Sequence, residues 1–301
     1  MKRNSAYFVL LYALMLLIIS VSITSCKAGK KVFKKITVAP RTEPQYTETD
    51  TLIEKPAAIK TLKYEYQWLD SKDIPPVAIV IDDFGQIGGD LLQGFAELDS
   101  DITFAVLPDL PNTEKTAKLA NIYGHEVILH IPMQAEDKNQ NPGKTYIKTG
   151  MDKVDIKDII NGFLDQVPQA IGANNHMGSG VTADFSTIGS VVEILKKKRL
   201  FFLDSKTSSR SKVVNAASDL RADYCARDIF LDVPDVSNTT LNSKLQSLDK
   251  YRGRKEPVII ISHCHNQAKL VAMRSFVSNL KGMGIKLIPL SDAVNKFKLP
   301  S

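Results

Sequence analysis

The stretch Val77-Ala-Ile-Val-Ile-Asp-Asp-Phe-Gly85 decides the fold. Five apolar residues, four of them β-branched, run without alternation and end on two carboxylates. A continuous apolar run of this length reads as a strand buried on both faces, as in a parallel sheet covered by helices. The same pattern recurs downstream. Strands are predicted over residues 77–81, 102–107, 126–131, 170–174, 200–203, 224–226, 258–262 and 285–289. Helix-period segments at 89–98, 113–123, 153–166, 186–198, 211–220, 241–251 and 268–282 alternate with them, with Asn112 placed to cap the second. Seven or eight strand–helix units match the size of a (β/α) barrel. A doubly wound open sheet is the competing architecture.

The charge of the chain sits outside this region. The net charge is +6, yet residues 1–74 hold 12 Lys/Arg against 7 Asp/Glu, and residues 75–301 hold 27 against 26. A folded part this close to neutral offers no groove for a phosphate backbone, so nucleic acid is not an expected partner.

The first 26 residues read as a secretory signal: Lys2 and Arg3, an apolar run from Ala6 to Ile19, then Ile23-Thr24-Ser25-Cys26. The last four residues resemble a bacterial lipobox, in which Cys26 is lipidated and becomes the new N-terminus. An uncleaved anchor over residues 6–23 is the alternative. Either way the protein is expected to be exported and tethered to a membrane of the bacterial cell envelope. Lys27, Lys30, Lys31, Lys34 and Lys35 could approach anionic headgroups or simply be solvated. Residues 27–74 read as a linker, with Tyr64, Tyr66, Trp68 and Leu69 as an arm that could pack on the domain at 75–301. With Cys26 set aside, Cys225 and Cys264 define no disulfide framework.

Barrel chemistry lies where strands end, so the residues after each apolar run are the test. They are Asp82-Asp83, His130, Asn174-Asn175-His176, Asp204-Ser205 and Ser262-His263-Cys264-His265. Four of the five histidines fall at such positions. A lone loop His is more often a hydrogen-bonding group than a ligand, and an Asp pair after a strand can cap a helix. Together, imidazole and carboxylate are the set a catalytic Zn²⁺ uses with one position left open. The plainer reading is kept for His265 and Cys264, the latter turned from the His263 face by strand alternation, and for His125, read as a surface residue at a strand start.

These stretches, with Thr103-Phe-Ala-Val-Leu-Pro108, His130-Ile-Pro-Met133, Asn174-Asn-His-Met-Gly-Ser179 and Phe201-Phe-Leu-Asp-Ser205, resemble the divergent polysaccharide deacetylases. These are distant relatives of the NodB-type carbohydrate esterases. The resemblance spans roughly residues 75–297. It implies a distorted (β/α) barrel, a divalent metal with Zn²⁺ foremost, and a carbohydrate polymer as substrate. By motif, Asp82 would be the general base, Asp83 and His130 metal ligands, and His263 the group that assists the leaving amine. The family's second ligand histidine falls at Gln134, a poor Zn²⁺ ligand, so His176 is the expected replacement. Asn175 and Asp204 would orient the ligands or meet substrate, and Asp204 could equally be a helix cap. The implied activity is metal-dependent deacetylation of an N-acetylated envelope polysaccharide. A catalytically weak or inactive carbohydrate-binding or envelope-assembly protein is the alternative, and a hydrolase of other bond specificity a third.

Overall fold

The computed structural model describes residues 72–295. The leader, Cys26, the aromatic arm and nearly all of the linker lie outside the described residues. Among the described residues no helix is long and apolar enough to cross a membrane.

Among the described residues there are eight strands, and all but the sixth and seventh are separated by helices. The strands are β1 (Val77–Phe84), β2 (Thr103–Val106), β3 (Val127–Met133), β4 (Gly172–Met177), β5 (Phe201–Asp204), β6 (Tyr224–Ala226), β7 (Ile229–Phe230) and β8 (Val258–His263). The helices are α1 (Gly89–Ala96), α2 (Thr113–Ile122), α3 (Lys153–Gln166), α4 (Ser179–Ala183), α5 (Phe185–Lys197), α6 (Val213–Leu220), α7 (Asn238–Gln246), α8 (Gln267–Gly282) and α9 (Leu290–Asn295), with a 3₁₀ turn at Ser247–Tyr251 after α7.

All pairings are parallel, in the order β6-β5-β4-β3-β2-β1-β8-β7. A doubly wound sheet reverses its strand order at a switch point. Here the order is sequential, and its two ends, β6 and β7, are neighbours in sequence separated only by Arg227 and Asp228. Arg227 N donates to Asp204 O at 3.0 Å, and Asp228 N donates to Ile259 O at 2.8 Å. One extended segment therefore leaves β5 and joins β8. The barrel closes through that segment's covalent continuity, which is its distortion.

The pleat sorts the apolar residues into two layers. Ala78, Val80, Ala105, Ile128, Leu203, Ile259 and Ile261 face inward and pack with Ile288 and with Leu290, Ala293 and Val294 of α9. That helix closes the N-terminal end of the barrel, where Ile288 N donates to Val77 O and Ser291 N to Glu126 Oε2, both at 3.0 Å. Val77, Ile79, Ile81, Leu129, Ile131 and Ile260 face outward against the helices. At the head of β1, Phe84 stacks on Phe104 at 4.0 Å between ring centres and meets Phe95 edge-on at 5.6 Å.

Most predicted elements are found within two or three residues of their expected limits. The exception is the expected strand at 285–289. Lys286 and Ile288 each make one backbone bond to Val77, and Leu287 forms a single bridge. Pro289 then supplies no N–H, and the chain turns into α9. Asn112 stands at the N-cap of α2 without a side-chain capping bond, its φ and ψ of −115° and 13° departing from the extended backbone of a capping residue, while its Nδ2 donates to Gln86 O at 3.1 Å. His125 is not a surface residue: it is buried, its ring nitrogens 2.9 and 2.8 Å from the carbonyls of Ile102 and Ala96, and its ring stacked on Phe104.

Phe84 is fully buried and joins two aromatic contacts directly beneath the Asp pair. Phe84→Ala is expected to cost about 3–5 kcal/mol by transfer and cavity terms together, read as a lowered urea midpoint.

Candidate metal centre

Alternation along β1 carries Ala78, Val80 and then Asp82 to the inner face. The next residue would point outward, but the register with β2 slips between Ile81 and Phe84, and Asp83 takes a left-handed backbone with φ of 67°. This bulge turns two successive carboxylates to one side of the strand. Gly85 follows at φ 120°, where a Cβ would stand 2.9 Å from Leu107 O, so only glycine fits the turn out of β1.

The same alternation places His130 inward beyond Ile128, and Asn174 and His176 inward on β4. At the end of β4, Met177 and Gly178 both have positive φ and turn the chain back; a Cβ on Gly178 would lie 2.9 Å from Met133 Cβ. His263 is inward beyond Ile259 and Ile261, and Cys264 is buried outward, as alternation requires. Cys225 and Cys264 are free thiols in different core layers.

Asp83, His130 and His176 converge. Asp83 Oδ1 lies 3.2 Å from His130 Nε2 and 3.0 Å from His176 Nδ1, and the two ring nitrogens are 3.2 Å apart. His130 Nδ1 donates to Asn174 Oδ1 at 2.6 Å. An amide oxygen only accepts, so one proton is fixed on Nδ1, and it is Nε2 that faces the other two groups and whose lone pair, once its own proton leaves, would be offered to an ion. One carboxylate oxygen and two imidazole nitrogens fit a divalent cation such as Zn²⁺, and three protein ligands leave a position for water or substrate.

The surrounding charges oppose and reinforce one another. Burial pushes the Asp82 carboxyl above its ordinary value, and the Asp83 charge adds to this against the pull of His130 and His263. Burial would also raise Asp83, but hydrogen bonds from His130, His176 and His265 hold it well below the carboxylate range. Burial would lower His130, yet Asp82 and Asp83 together lift it to about 9. Asn174 Nδ2 donates to Asp82 Oδ1 at 2.9 Å, while Asp82 Oδ2 lies 3.8 Å from His130 Nε2.

His263 lines the same cleft of about 440 Å³ and is clasped by Asp232, from the loop after β7. Its backbone N donates to Asp232 Oδ2 at 3.1 Å and its Nδ1 lies 3.0 Å from Oδ1. Among the described residues His263 Nε2 has no hydrogen-bond partner. Lys269 Nζ, from the first turn of α8, reaches Asp232 Oδ2 at 2.6 Å. Burial would raise Asp232, but His263 and Lys269 draw it down to about 2; Asp232 in turn raises His263 against its own burial. Phe230 stacks on His263 at 5.7 Å, with the Arg227 guanidinium 3.7 Å from the Phe230 ring centre.

Six expected residues thus line one cleft: Asp82, Asp83, His130, Asn175, His176 and His263. Asn175 and Asp204 do not touch the three converging donors. Asn175 accepts from Ser205 N at 3.0 Å and donates to Met177 O at 2.8 Å, pinning two loops. Asp204 faces outward and accepts from Lys206 N at 2.8 Å and Ser211 Oγ at 2.7 Å. The residue that orients His130 and Asp82 is Asn174, one position earlier. The alternation that places His176 inward also selects Asn174, whereas Asn175 has the opposite parity. Gln134 is turned away, its Oε1 accepting from Thr149 N at 3.1 Å. Asp232 is likewise an acid after an apolar run, but that run, whose strand is only the two residues of β7, is too short to stand out in the sequence. A larger cavity of about 890 Å³ lies along β6 and shares Lys206 with the cleft, yet its Arg254 is committed to Asp228 and backbone carbonyls.

The chain matches a family model described as divergent polysaccharide deacetylase over residues 79–294. It is 34% identical over 223 residues to the uncharacterized protein YibQ of Escherichia coli K12, covering 73% of this chain and 67% of that protein. An uncharacterized protein of Haemophilus influenzae is 34% identical over 158 residues, covering 52% of this chain and 55% of its own length. The chain thus spans about half to two thirds of these relatives. Among solved structures, the uncharacterized protein ATU2773 from Agrobacterium tumefaciens shares the fold with a TM-score of 0.66 at 22% identity, over 71% of this chain and 87% of that one.

The raised histidines make the metal-free protein pH-sensitive. A group whose folded pKa is raised contributes stability that is complete below its unfolded value, about 6.5, and lost as pH rises through the folded value. For His130 that loss runs up to about pH 9, and His263 adds a loss of the same sign. Asp232→Asn is expected to remove the His263 share, flattening the fall of the urea midpoint above pH 6.5.

Proposed function

The chain belongs to the divergent polysaccharide deacetylase family, and from that premise we propose that it is a metal-dependent hydrolase that deacetylates an N-acetylated polysaccharide of the cell envelope. The observation that carries this reading is the meeting of Asp83 Oδ1, His130 Nε2 and His176 Nδ1 in a cleft that Asp82 and His263 also line. These three would hold the ion. When bound, a divalent cation, Zn²⁺ foremost, lowers the pKa of a coordinated water and polarises a carbonyl oxygen.

The chain's own residues divide the remaining work. Asp82 accepts the proton of the water that adds to the acetyl carbon. Its raised pKa makes it a stronger base than a free carboxylate, and Asn174 occupies Oδ1 so that Oδ2 is left for the proton. His263, held through Nδ1 by Asp232, gives a proton from Nε2 to the departing amine as the C–N bond breaks. Acetate and the free amino sugar are the products.

A catalytically inert carbohydrate-binding protein on the same fold is the second reading. Gln134, where the NodB-type enzymes carry their second ligand histidine, is the observation that favours it. Metal analysis and acetate release from a panel of N-acetylated glycans separate the two. The enzyme reading expects bound Zn²⁺, acetate release, and a loss of about 10²-fold or more in Asp82→Asn. The absence of a bound ion, together with no response to added Zn²⁺, would overturn it. A bound ion without acetate release would favour the inert reading.

We also propose that lipidated Cys26 tethers the protein to the envelope membrane. Cys26→Ser is expected to move the protein into the soluble fraction. Undiminished membrane association would point instead to an uncleaved apolar anchor.

A further inference from the structure

Asp83 has two carboxylate oxygens and only one of them meets the histidine pair. Oδ1 faces His130 and His176. Oδ2 is engaged from the other flank of β1, by His265 Nε2 just beyond the neighbouring strand β8, at 2.6 Å. His265 lies two residues past the end of β8, and Asn266, which follows, caps α8 by accepting from Lys269 N at 3.1 Å. The ring is therefore carried on the rigid start of a helix. Half of its side chain is exposed, so it is reachable rather than buried in the core.

The direction of the bond follows from the other ring nitrogen. Lys269 Nζ stands 3.4 Å from His265 Nδ1. An ammonium group only donates, so Nδ1 must accept and the ring proton lies on Nε2, pointing at Asp83. The same lysine reaches Asp232 Oδ2 at 2.6 Å. One cation thus steadies the clasp on His263 directly and the Asp83 carboxylate through His265.

Asp83 needs such an anchor because of its backbone. Its left-handed φ of 67° lies in a bulge, where the pleat no longer dictates the direction of the side chain. We propose that His265 is a positioning residue: its Nε2–H holds Oδ2 of Asp83 so that Oδ1 is presented, already oriented, to the cation gathered by His130 and His176. The proposal rests on the metallohydrolase reading for the identity of that cation. The hydrogen bond itself does not depend on it.

Two measurements on the full-length chain test the proposal. The first is Zn²⁺ affinity by competition with a chromophoric chelator. His265→Ala is expected to weaken it about tenfold to a hundredfold, the usual loss when a ligand's hydrogen-bonded support is removed. His265→Gln, which returns an N–H donor at similar reach, is expected to restore most of it. Unchanged affinity in His265→Ala would overturn the proposal. So would a loss that Gln fails to relieve, because His265 would then be a ligand itself. The second is the crystal structure of metal-free His265→Ala, in which the Asp83 carboxylate is expected to rotate out of its native plane. A carboxylate left in place would overturn the proposal independently of any ion. Failure of the unmodified protein to bind Zn²⁺ would instead count against the metallohydrolase reading, with this structural comparison still deciding the role of His265.

Discussion

A β-strand cannot show two consecutive side chains to the same face, and the cleft of this protein depends on one place where that rule is broken. Asp82 keeps the inward parity of Ala78 and Val80. Asp83 reaches the same side only because the register with β2 slips and its backbone enters the left-handed region. Such a conformation in a non-glycine residue costs of order 1–3 kcal/mol and persists where the surroundings over-determine it. Here the aromatic packing of Phe84 below, the glycine turn at Gly85 above and the three histidines around the carboxylate do so. Without the bulge, Asp83 would face the helices and His130 and His176 would have no carboxylate between them.

Closure of the barrel is a second economy of the same kind. Residues 224–230 satisfy the open edge of β5 and then the open edge of β8 as one strand changing partners. That change of partner leaves Arg227 packed on Phe230, with Phe230 stacked on His263. It also delivers Asp232 to the head of β8. The irregular part of the barrel is thus what supports the cleft on its β8 side, while regular alternation supports it on the β3 and β4 side.

This division explains what the sequence disclosed. Runs of Val, Ile and Leu announced the strands that carry Asp82, His130 and His263, the short apolar stretch Ala170-Ile-Gly-Ala173 announced the one that carries His176, and a period of two fixes their inward direction. Motif resemblance supplied the family, which periodicity alone does not contain. The role of Asn174 was legible in its parity but was assigned to its neighbour. Asp232 follows an apolar run of three residues at Ile229-Phe230-Leu231, too short to stand out in sequence. The contact of His265 with Asp83 joins residues 182 positions apart across a helix cap, and no local pattern encodes it. His125 misled for the opposite reason: a polar residue before a strand usually faces water, and here two backbone carbonyls take its place.

The three converging donors come from three different strands, Asp83 lying 47 residues from His130 and His130 46 from His176. A His-x-x-x-His pair would present two ligands within one turn of chain, and such a local chelate could survive in an unfolded polypeptide. The present set cannot, because only long-range sheet registry brings it together. An ion held there would bind the native state alone, so its whole binding free energy would count toward folding. A set spread across β1, β3 and β4, in place of a local chelating pair, would thereby make such an ion a cross-link of the barrel, and would tie its retention to global unfolding rather than to the fraying of any one loop.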